Sequence, residues 1–533
     1  ASCNKALMIK PNYAEAYNNM GNALKTKGEL ESAIDSYKQA IKIKPDYAEA
    51  FNNLGTALQE KGQRTAAINS YDRAVRIKPD YEAPLIQKLH QQAHICDWRE
   101  IEESRKLIPN LGLSKRSADP FCFLSLEDAP ERHRARTEIY VQKTYKQKPL
   151  SLSSRPLQKP TQIRIGYFSA DFKQHPVAYL MAKVIETHDR NDFKIYGYSL
   201  RSAQDNKMTQ RLTKAFDIFT DVKDMKDQDI ALLAKQDKID IAIDLTGYTQ
   251  NNRSGIFAYR AAPVQINYLG YPGTMGARFI DYIIADENLI PAKNQKFYSE
   301  KPIYLPHHYQ AQDDTLPIAC STPSRLDLGL PENGFVFCAI NNAYKITPDE
   351  FDIWMRLLKQ VPNSTLMLLE SNKWVKSNLV KEAIKRGVNS SQLVFVQQVS
   401  HEKYLAQFRL ADLYLDTFTY NAGATASNAL WAGLPVLTKT GEGYASRMAG
   451  SLLTSIGLPE LITTSKLEYE KLALEISTHP ERLATIKEKL KKNRLSKPLF
   501  NTKLFTTHLE NGYRMAHKRL LAGEKPETIY VPT

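Results

Sequence analysis

Apolar residues over the first eighty positions recur at the three-and-four spacing of amphipathic helices, and the pattern itself repeats. Ala48 to Glu60 and Arg64 to Ile77 each gather their apolar residues on one stripe, which predicts two helices packed face to face. Lys10-Pro11-Asn12-Tyr13, Lys44-Pro45-Asp46-Tyr47 and Lys78-Pro79-Asp80-Tyr81 recur at a spacing of 34 residues. Gly21 and Gly55, then Gly28 and Gly62, keep the same offset. Proline stops the second helix of each unit, and small residues let the two helices approach closely.

Period and pattern look like tetratricopeptide repeats over residues 1–95. Ala1 to Lys10 matches Asp35 to Lys44, so the chain begins inside the second helix of a unit and reads as a piece of a longer array. The concave face of such an array is expected to hold a protein or peptide. The plainer alternative is that these repeats only brace the next domain.

Residues 96–160 stay helical but lose the period, and end in the proline-bearing connector Ser153 to Pro160. Short apolar runs then alternate with helical stretches: Ile163 to Ser169, Phe193 to Ser199, Ile239 to Asp244, Gln265 to Leu269 and Tyr282 to Ala285. A second series comes after the stretch Cys320 to Arg325: Phe335 to Ile340, Thr365 to Leu369, Leu393 to Val396, Leu413 to Asp416 and Pro435 to Thr438. Such alternation predicts parallel sheets covered by helices on both faces. The fold class expected is therefore α-helical repeats followed by two α/β Rossmann-like lobes, residues 161–322 and 323–480, with a cleft between them. Residues 481–533 are expected to be helices that cross back over the first lobe.

Charge and cysteine content narrow the setting. The 72 Lys and Arg exceed the 58 Asp and Glu to give a formal charge of +14, which raises nucleic acid as a partner. Basic and acidic residues nevertheless interleave, and the densest run, Lys487 to Arg494, reads as a helix with a solvated face, so nucleic acid is not expected. The five cysteines form no CxxC pair, which argues against a zinc site or a disulfide framework. No stretch reaches the roughly 20 apolar residues of a membrane span, and the first residues lack a signal-peptide core. A cytoplasmic protein fits best.

In open parallel sheets the chemistry sits beyond the carboxyl ends of the strands. After the first strand stands Ser169-Ala170-Asp171-Phe172-Lys173-Gln174-His175-Pro176, where His175 is placed to contact a sugar hydroxyl or take a proton, or simply to cap a helix. After Phe335 to Ile340, the pair Thr347 and Glu350 marks a helix start as a capping box with Pro348 in its first turn. Lys345 thus falls in a tight strand-to-helix turn, either solvated or aimed at charge building on a leaving diphosphate. The segment Asp416 to Gly433 opens a helix near Ala424 to Ser427, whose free N–H groups suit a diphosphate. Ser400 is placed to cap a helix that carries Tyr404, an aromatic able to stack on a base or to fill core. Asp227-Gln228-Asp229 lies in a helical stretch before a strand, so no carboxylate pair is placed to hold a divalent ion on a sugar nucleotide.

Taken together, these segments resemble the catalytic region of O-GlcNAc transferases and their bacterial relatives. The resemblance runs from Ile163 to about Tyr513 and includes Asp171 to Leu180, Leu269-Gly270-Tyr271-Pro272-Gly273-Thr274, Tyr344-Lys345-Ile346, Leu410 to Pro435, Ala445-Ser446-Arg447 and Leu495 to Lys503. It implies a GT-B architecture and inverting, metal-independent transfer from UDP-GlcNAc to Ser or Thr hydroxyls, with no further cofactor. His175 matches the family's histidine near the sugar and Lys345 its diphosphate lysine. Asn342 falls where the family has a nucleotide-contacting glutamine, and Ala424 and Thr425 match the phosphate-binding helix start. Gly273 and Thr274 belong to the same nucleotide-sugar set. Two positions depart: Tyr404 replaces a uracil-stacking histidine, and Asn428 an aspartate that holds the ribose. Related transferases of this fold imply two alternatives, O-fucosyl and N-glucosyl transfer; a third is a repeat scaffold with inactive lobes.

Overall fold

A computed structural model describes residues 2–114, 118–150, 160–202, 206–320 and 323–533. Most of the connector expected at Ser153 to Pro160, and the lobe boundary at residue 322, lie outside the described residues.

The repeats form as antiparallel helix pairs, Ala14–Thr26 with Leu30–Ile43 and Ala48–Glu60 with Arg64–Ile77. The second pair has the bounds that periodicity predicts. Gly21 and Gly55 are required by close approach, because a Cβ there would stand 2.5 Å from the Tyr37 ring and 2.6 Å from the Tyr71 ring. The repeated Lys-Pro-x-Tyr turn sets each lysine over its own tyrosine, with Lys10, Lys44 and Lys78 at 5.2, 5.0 and 5.8 Å from the ring centroids. One repeating sequence thus produces one repeating contact.

Helix Glu82–His94 ends the array and lies against the second lobe. Asn372 Nδ2 donates to the His94 carbonyl at 2.9 Å and Asn378 Nδ2 to that of Ile95 at 2.8 Å. The Cys96 thiol faces the Ala343 carbonyl at 3.6 Å, and the His94 ring lies 4.8 Å from that of Tyr344. Helices Ile101–Leu107 and Pro130–Thr144 complete the linker.

The first lobe holds strands β1 (Ile163–Ser169), β2 (Phe193–Ser199), β3 (Ile218–Asp221), β4 (Ile241–Asp244), β5 (Val264–Asn267), β6 (Tyr282–Ala285) and β7 (Lys301–Tyr304). The second holds β8 (Val336–Ala339), β9 (Thr365–Leu369), β10 (Leu393–Val396), β11 (Leu413–Leu415), β12 (Val436–Lys439) and β13 (Ile462–Thr463). A last strand, β14 (Ile529–Tyr530), pairs with β7 and returns the chain to the first sheet. The strand orders are β14-β7-β6-β5-β4-β1-β2-β3 and β10-β9-β8-β11-β12-β13, with parallel pairing throughout. Four strands, β3, β7, β13 and β14, escape the sequence pattern; all lie at or next to a sheet edge, and β13 and β14 are only two residues long.

The closing helices divide between the lobes. Pro480–Ser496 packs on the second lobe, where Asn493 Nδ2 donates to the Ile456 carbonyl at 2.8 Å. Thr502–Leu521 crosses to the first. There the Tyr513 hydroxyl lies 3.3 Å from that of Tyr167, and Glu510 accepts from the Asp189 N–H at 2.8 Å while lying 3.0 Å from His188 Nδ1.

Candidate functional site

The strand orders locate the cleft. In each sheet the chain starts at an inner strand and works outward both ways, so the order reverses between β1 and β4 and between β8 and β11. Loops leaving the carboxyl ends of such a strand pair diverge and open a crevice. The four loops are those after Ser169, Asp244, Ala339 and Leu415, and three of them carry the residues singled out from sequence.

After β8 the chain makes a short 3₁₀ turn, Ala343–Lys345, before the helix Pro348–Gln360. The capping box is formed: the Thr347 N–H donates to Glu350 Oε1 at 2.6 Å. Lys345 is not solvated. It is 7 % exposed, its ammonium donates to the Asn421 carbonyl at 2.9 Å, and it lies 3.8 Å from the centroid of the Tyr420 ring. Burial drives its pKa well below that of a free lysine, while the charge of Asp416 opposes the shift. Asp416 is fully buried at the end of β11, and accepts from Thr438 Oγ1 at 2.7 Å and from the N–H groups of Ala422 at 2.7 Å and Thr417 at 2.9 Å. Three donors and a nearby ammonium hold a carboxylate in a place that desolvation otherwise penalises.

Gly423 stands before the helix Ala424–Ala432, and no side chain caps that helix's first N–H groups. Space is tight here: a Cβ would stand 3.2 Å from Gln310 Oε1 of the first lobe, so the amide would have to give way by a few tenths of an ångström. Gln310 Nε2 also donates to Ser427 Oγ at 3.1 Å, so a first-lobe amide is seated on this helix start. Ala424, Thr425 and Asn428 are partly exposed on one side of it. Tyr404 meets them: its hydroxyl lies close to Thr425 and Asn428, while its ring packs 4.8 Å from that of Phe408. Tyr404, Asn428 and the start of helix Ala424–Ala432, expected from sequence to share one nucleotide site, thus lie together. Ser400 holds the N-cap position of helix His401–Gln407 but makes no side-chain cap there, contrary to the sequence expectation.

On the opposite wall His175 caps helix Pro176–Thr187, accepting at Nδ1 from the Val177 N–H at 3.4 Å. An acceptor Nδ1 puts the proton of the neutral ring on Nε2. Burial lowers the His175 pKa, with Asp171, 3.7 Å from Nδ1, opposing. The neutral ring therefore carries its one N–H donor on Nε2. Asn342 is exposed at the edge of the β8 turn.

The loop after β5 is strained: Leu269 has φ +68°, and a Cβ on Gly270 would stand 2.1 Å from the Leu245 carbonyl oxygen. Gly273 is held by Asn267 Nδ2, which donates to its carbonyl at 3.3 Å. Thr274 turns its hydroxyl into the lobe. It is 4 % exposed and its hydroxyl donates to the buried Glu300 at 2.6 Å, so its polar group is already used inside the lobe. Asp227 and Asp229 lie in the first turn of helix Asp227–Gln236, and Asp227 pairs with Arg253 at 2.6 Å. Sequence reasoning misses Asp416, Tyr420 and Gln310 as site residues, because their partners lie on other loops or on the other lobe.

Residues 131–317 and 310–509 match glycosyl transferase family 41, and residues 21–62 and 48–81 match tetratricopeptide repeats. The chain belongs to glycosyl transferase family 41. A probable UDP-N-acetylglucosamine–peptide N-acetylglucosaminyltransferase of Arabidopsis thaliana, SEC, is 36 % identical over 376 residues, 69 % of this chain and 38 % of that protein. The Caenorhabditis elegans UDP-N-acetylglucosamine–peptide N-acetylglucosaminyltransferase is 27 % identical over 562 residues, 80 % of this chain and 48 % of its own. This family 41 chain therefore spans less than half the length of those relatives. Among solved structures, an O-GlcNAc transferase of Thermobaculum terrenum superposes with a TM-score of 0.72 at 26 % identity, covering 98 % of this chain and 94 % of that one. Repeats followed by two parallel-sheet lobes are thus the GT-B arrangement expected from sequence.

Proposed function

We propose that this family 41 chain transfers GlcNAc from UDP-GlcNAc to Ser or Thr hydroxyls of proteins, by direct displacement with inversion and without a divalent metal. The observation that carries the reading is Lys345: a buried ammonium beside the switch point of the second sheet, next to an uncapped helix start. The acceptor oxygen attacks the anomeric carbon as the bond to the UDP oxygen breaks, and negative charge moves onto the diphosphate. Lys345 and the N–H groups of Ala424 and Thr425 meet that charge. His175, with its proton on Nε2, orients the sugar or acceptor by donating a hydrogen bond. The acceptor's proton leaves to solvent or to a phosphate oxygen. Tyr404 and Asn428 hold base and ribose, and Asn342 closes the nucleotide edge. A protein acceptor is placed along the repeats, with no membrane or nucleic acid involved. Among the described residues no helix is long and apolar enough to cross a membrane.

Incubation with UDP-GlcNAc and a peptide library, read by fragmentation mass spectrometry, tests sugar and acceptor together. Hexose, or fucose supplied as its GDP donor, transferred in place of N-acetylhexosamine would overturn the donor assignment, and Asn linkage the acceptor assignment. Turnover should survive excess EDTA; loss restored by Mg or Mn would overturn the metal-independent route.

A further inference from the structure

The Lys345 ammonium is enclosed by electron-rich groups presented by one loop. Asn421 offers its carbonyl at 2.9 Å, Asp416 its charge, and Tyr420 the face of its ring at 3.8 Å. A cation this close to an aromatic face, away from water, is held by the ring quadrupole. The loop is stiff. Thr417 Oγ1 donates to the Tyr420 carbonyl at 2.6 Å, Asn421 Nδ2 to the Thr417 carbonyl at 2.7 Å, and the Asn421 N–H to the Ala445 carbonyl at 2.8 Å. The ring itself is 7 % exposed and packs with first-lobe core residues, among them Tyr271 and Tyr309. On its other side stand Phe121 of the linker and Tyr344, at 6.5 and 6.0 Å between centroids. Tyr420 therefore touches the lysine, both lobes and the linker at once.

We propose that Tyr420 is a positioning residue for the transferase reaction: its ring face fixes the Lys345 ammonium in place and keeps it charged for the leaving diphosphate. The proposal rests on the role proposed for Lys345 in transfer. It predicts that ring electron density, not the hydroxyl, matters.

Other groups that titrate around the lysine are Asp416 at the end of β11, Tyr344 on its own turn, Glu350 on the next helix, and His90 and His94 on the helix packed against the turn. Burial holds both histidines well below their usual value, so they are neutral through the range of interest. Glu350 touches Thr347 rather than Tyr420. Asp416 titrates with Lys345 as a pair, so differences among variants at position 420 report on that pair, and the ¹³C signal reads the lysine member of it.

The test replaces Tyr420 by phenylalanine and then by phenylalanines carrying one, two and three ring fluorines, which drain the face of charge at nearly constant shape. Lysines labelled with ¹³C at Cε, with Lys345 assigned through Lys345→Arg, give its titration directly. The pH profile of kcat is measured on the same proteins. Phenylalanine should match tyrosine. Each fluorine should lower the Lys345 pKa and move the alkaline limb of kcat down with it, by about one unit over the series, the pKa equivalent of a desolvated cation–π contact. Tyr420→Leu should shift both at once. A titration that ignores fluorination, or a phenylalanine variant that behaves as the leucine one, would overturn the proposal. The titration needs no turnover, so a protein inactive with UDP-GlcNAc but with a fluorine-dependent Lys345 would refute the donor reading and leave the positioning role standing.

Discussion

Replacing Lys345 by methionine keeps the length and apolar stem of the side chain and removes only the charged head. The ammonium has three donors, of which one is used on the Asn421 carbonyl. Under the proposed role, another is given to a phosphate oxygen. A unit charge at roughly 4 Å from another, at an effective dielectric of about 20, is worth about 4 kcal/mol. Only the part that grows as the diphosphate leaves lowers the barrier. At about 1.36 kcal/mol per tenfold, the expected loss is on the order of 10²- to 10³-fold in kcat, the range found for a lost oxyanion donor. UDP affinity should fall much less. The same change strips Asp416 of its counter-charge. Its folded pKa is already above that of a free carboxylate, so the folded state keeps a proton to higher pH than the unfolded one, and stability falls as pH rises between the two values. Without Lys345 the folded value rises further, and the drop in Tm should be larger at pH 8 than at pH 6. Single-turnover transfer, UDP calorimetry and melting at the two pH values measure the three parts. Near-normal turnover in Lys345→Met would refute the assignment, and a pH-independent loss of Tm would refute the pairing with Asp416.

Asn428→Asp adds a charged acceptor at the position proposed for the ribose; UDP should bind several-fold tighter by calorimetry, since charged hydrogen bonds are about twice as strong as neutral ones. Thr274→Val should leave UDP affinity unchanged but cost about 1–3 kcal/mol in denaturant unfolding, because Glu300 loses a buried donor; weaker UDP binding would return Thr274 to the site. Burial pushes the Glu350 carboxyl up to about 8 from 4.5, so the unfolded chain ionises first and stability declines from pH 4.5 to 8. Glu350→Gln should flatten that part of the Tm–pH curve, and an unchanged slope would show that the carboxyl is ionised throughout.

Local rules reach far into this molecule. The repeat helices, the capping box at Thr347 and ten of the strands come from side-chain period and end signals, which act over a few residues. The loops after β1, β8 and β11 are legible for the same reason: a strand end followed by a helix start is a local signature. The surroundings of Lys345 are not, because the groups that bury it lie 76 residues away in sequence at Asn421. The main partner of Thr274 is equally invisible from sequence. The motif puts this threonine by the cleft, while its hydroxyl turns to Glu300, 26 residues on. Short edge strands such as β14 exist only because a distant strand waits to pair with them.

The weld between helix Glu82–His94 and the Lys345 turn makes the array a ruler. Amides of Asn372 and Asn378 grip the carbonyls that end that helix, and His94 lies against Tyr344, the neighbour of Lys345. The last repeat and this turn are thereby one contiguous block. On the proposed reading, a polypeptide gripped in the repeats would reach the cleft at a fixed contour length, set by how many units lie between grip and turn. Selection among the proposed acceptor hydroxyls would then depend on distance along the acceptor as much as on the residues flanking it, and adding or removing one unit would move the modified position by a constant step.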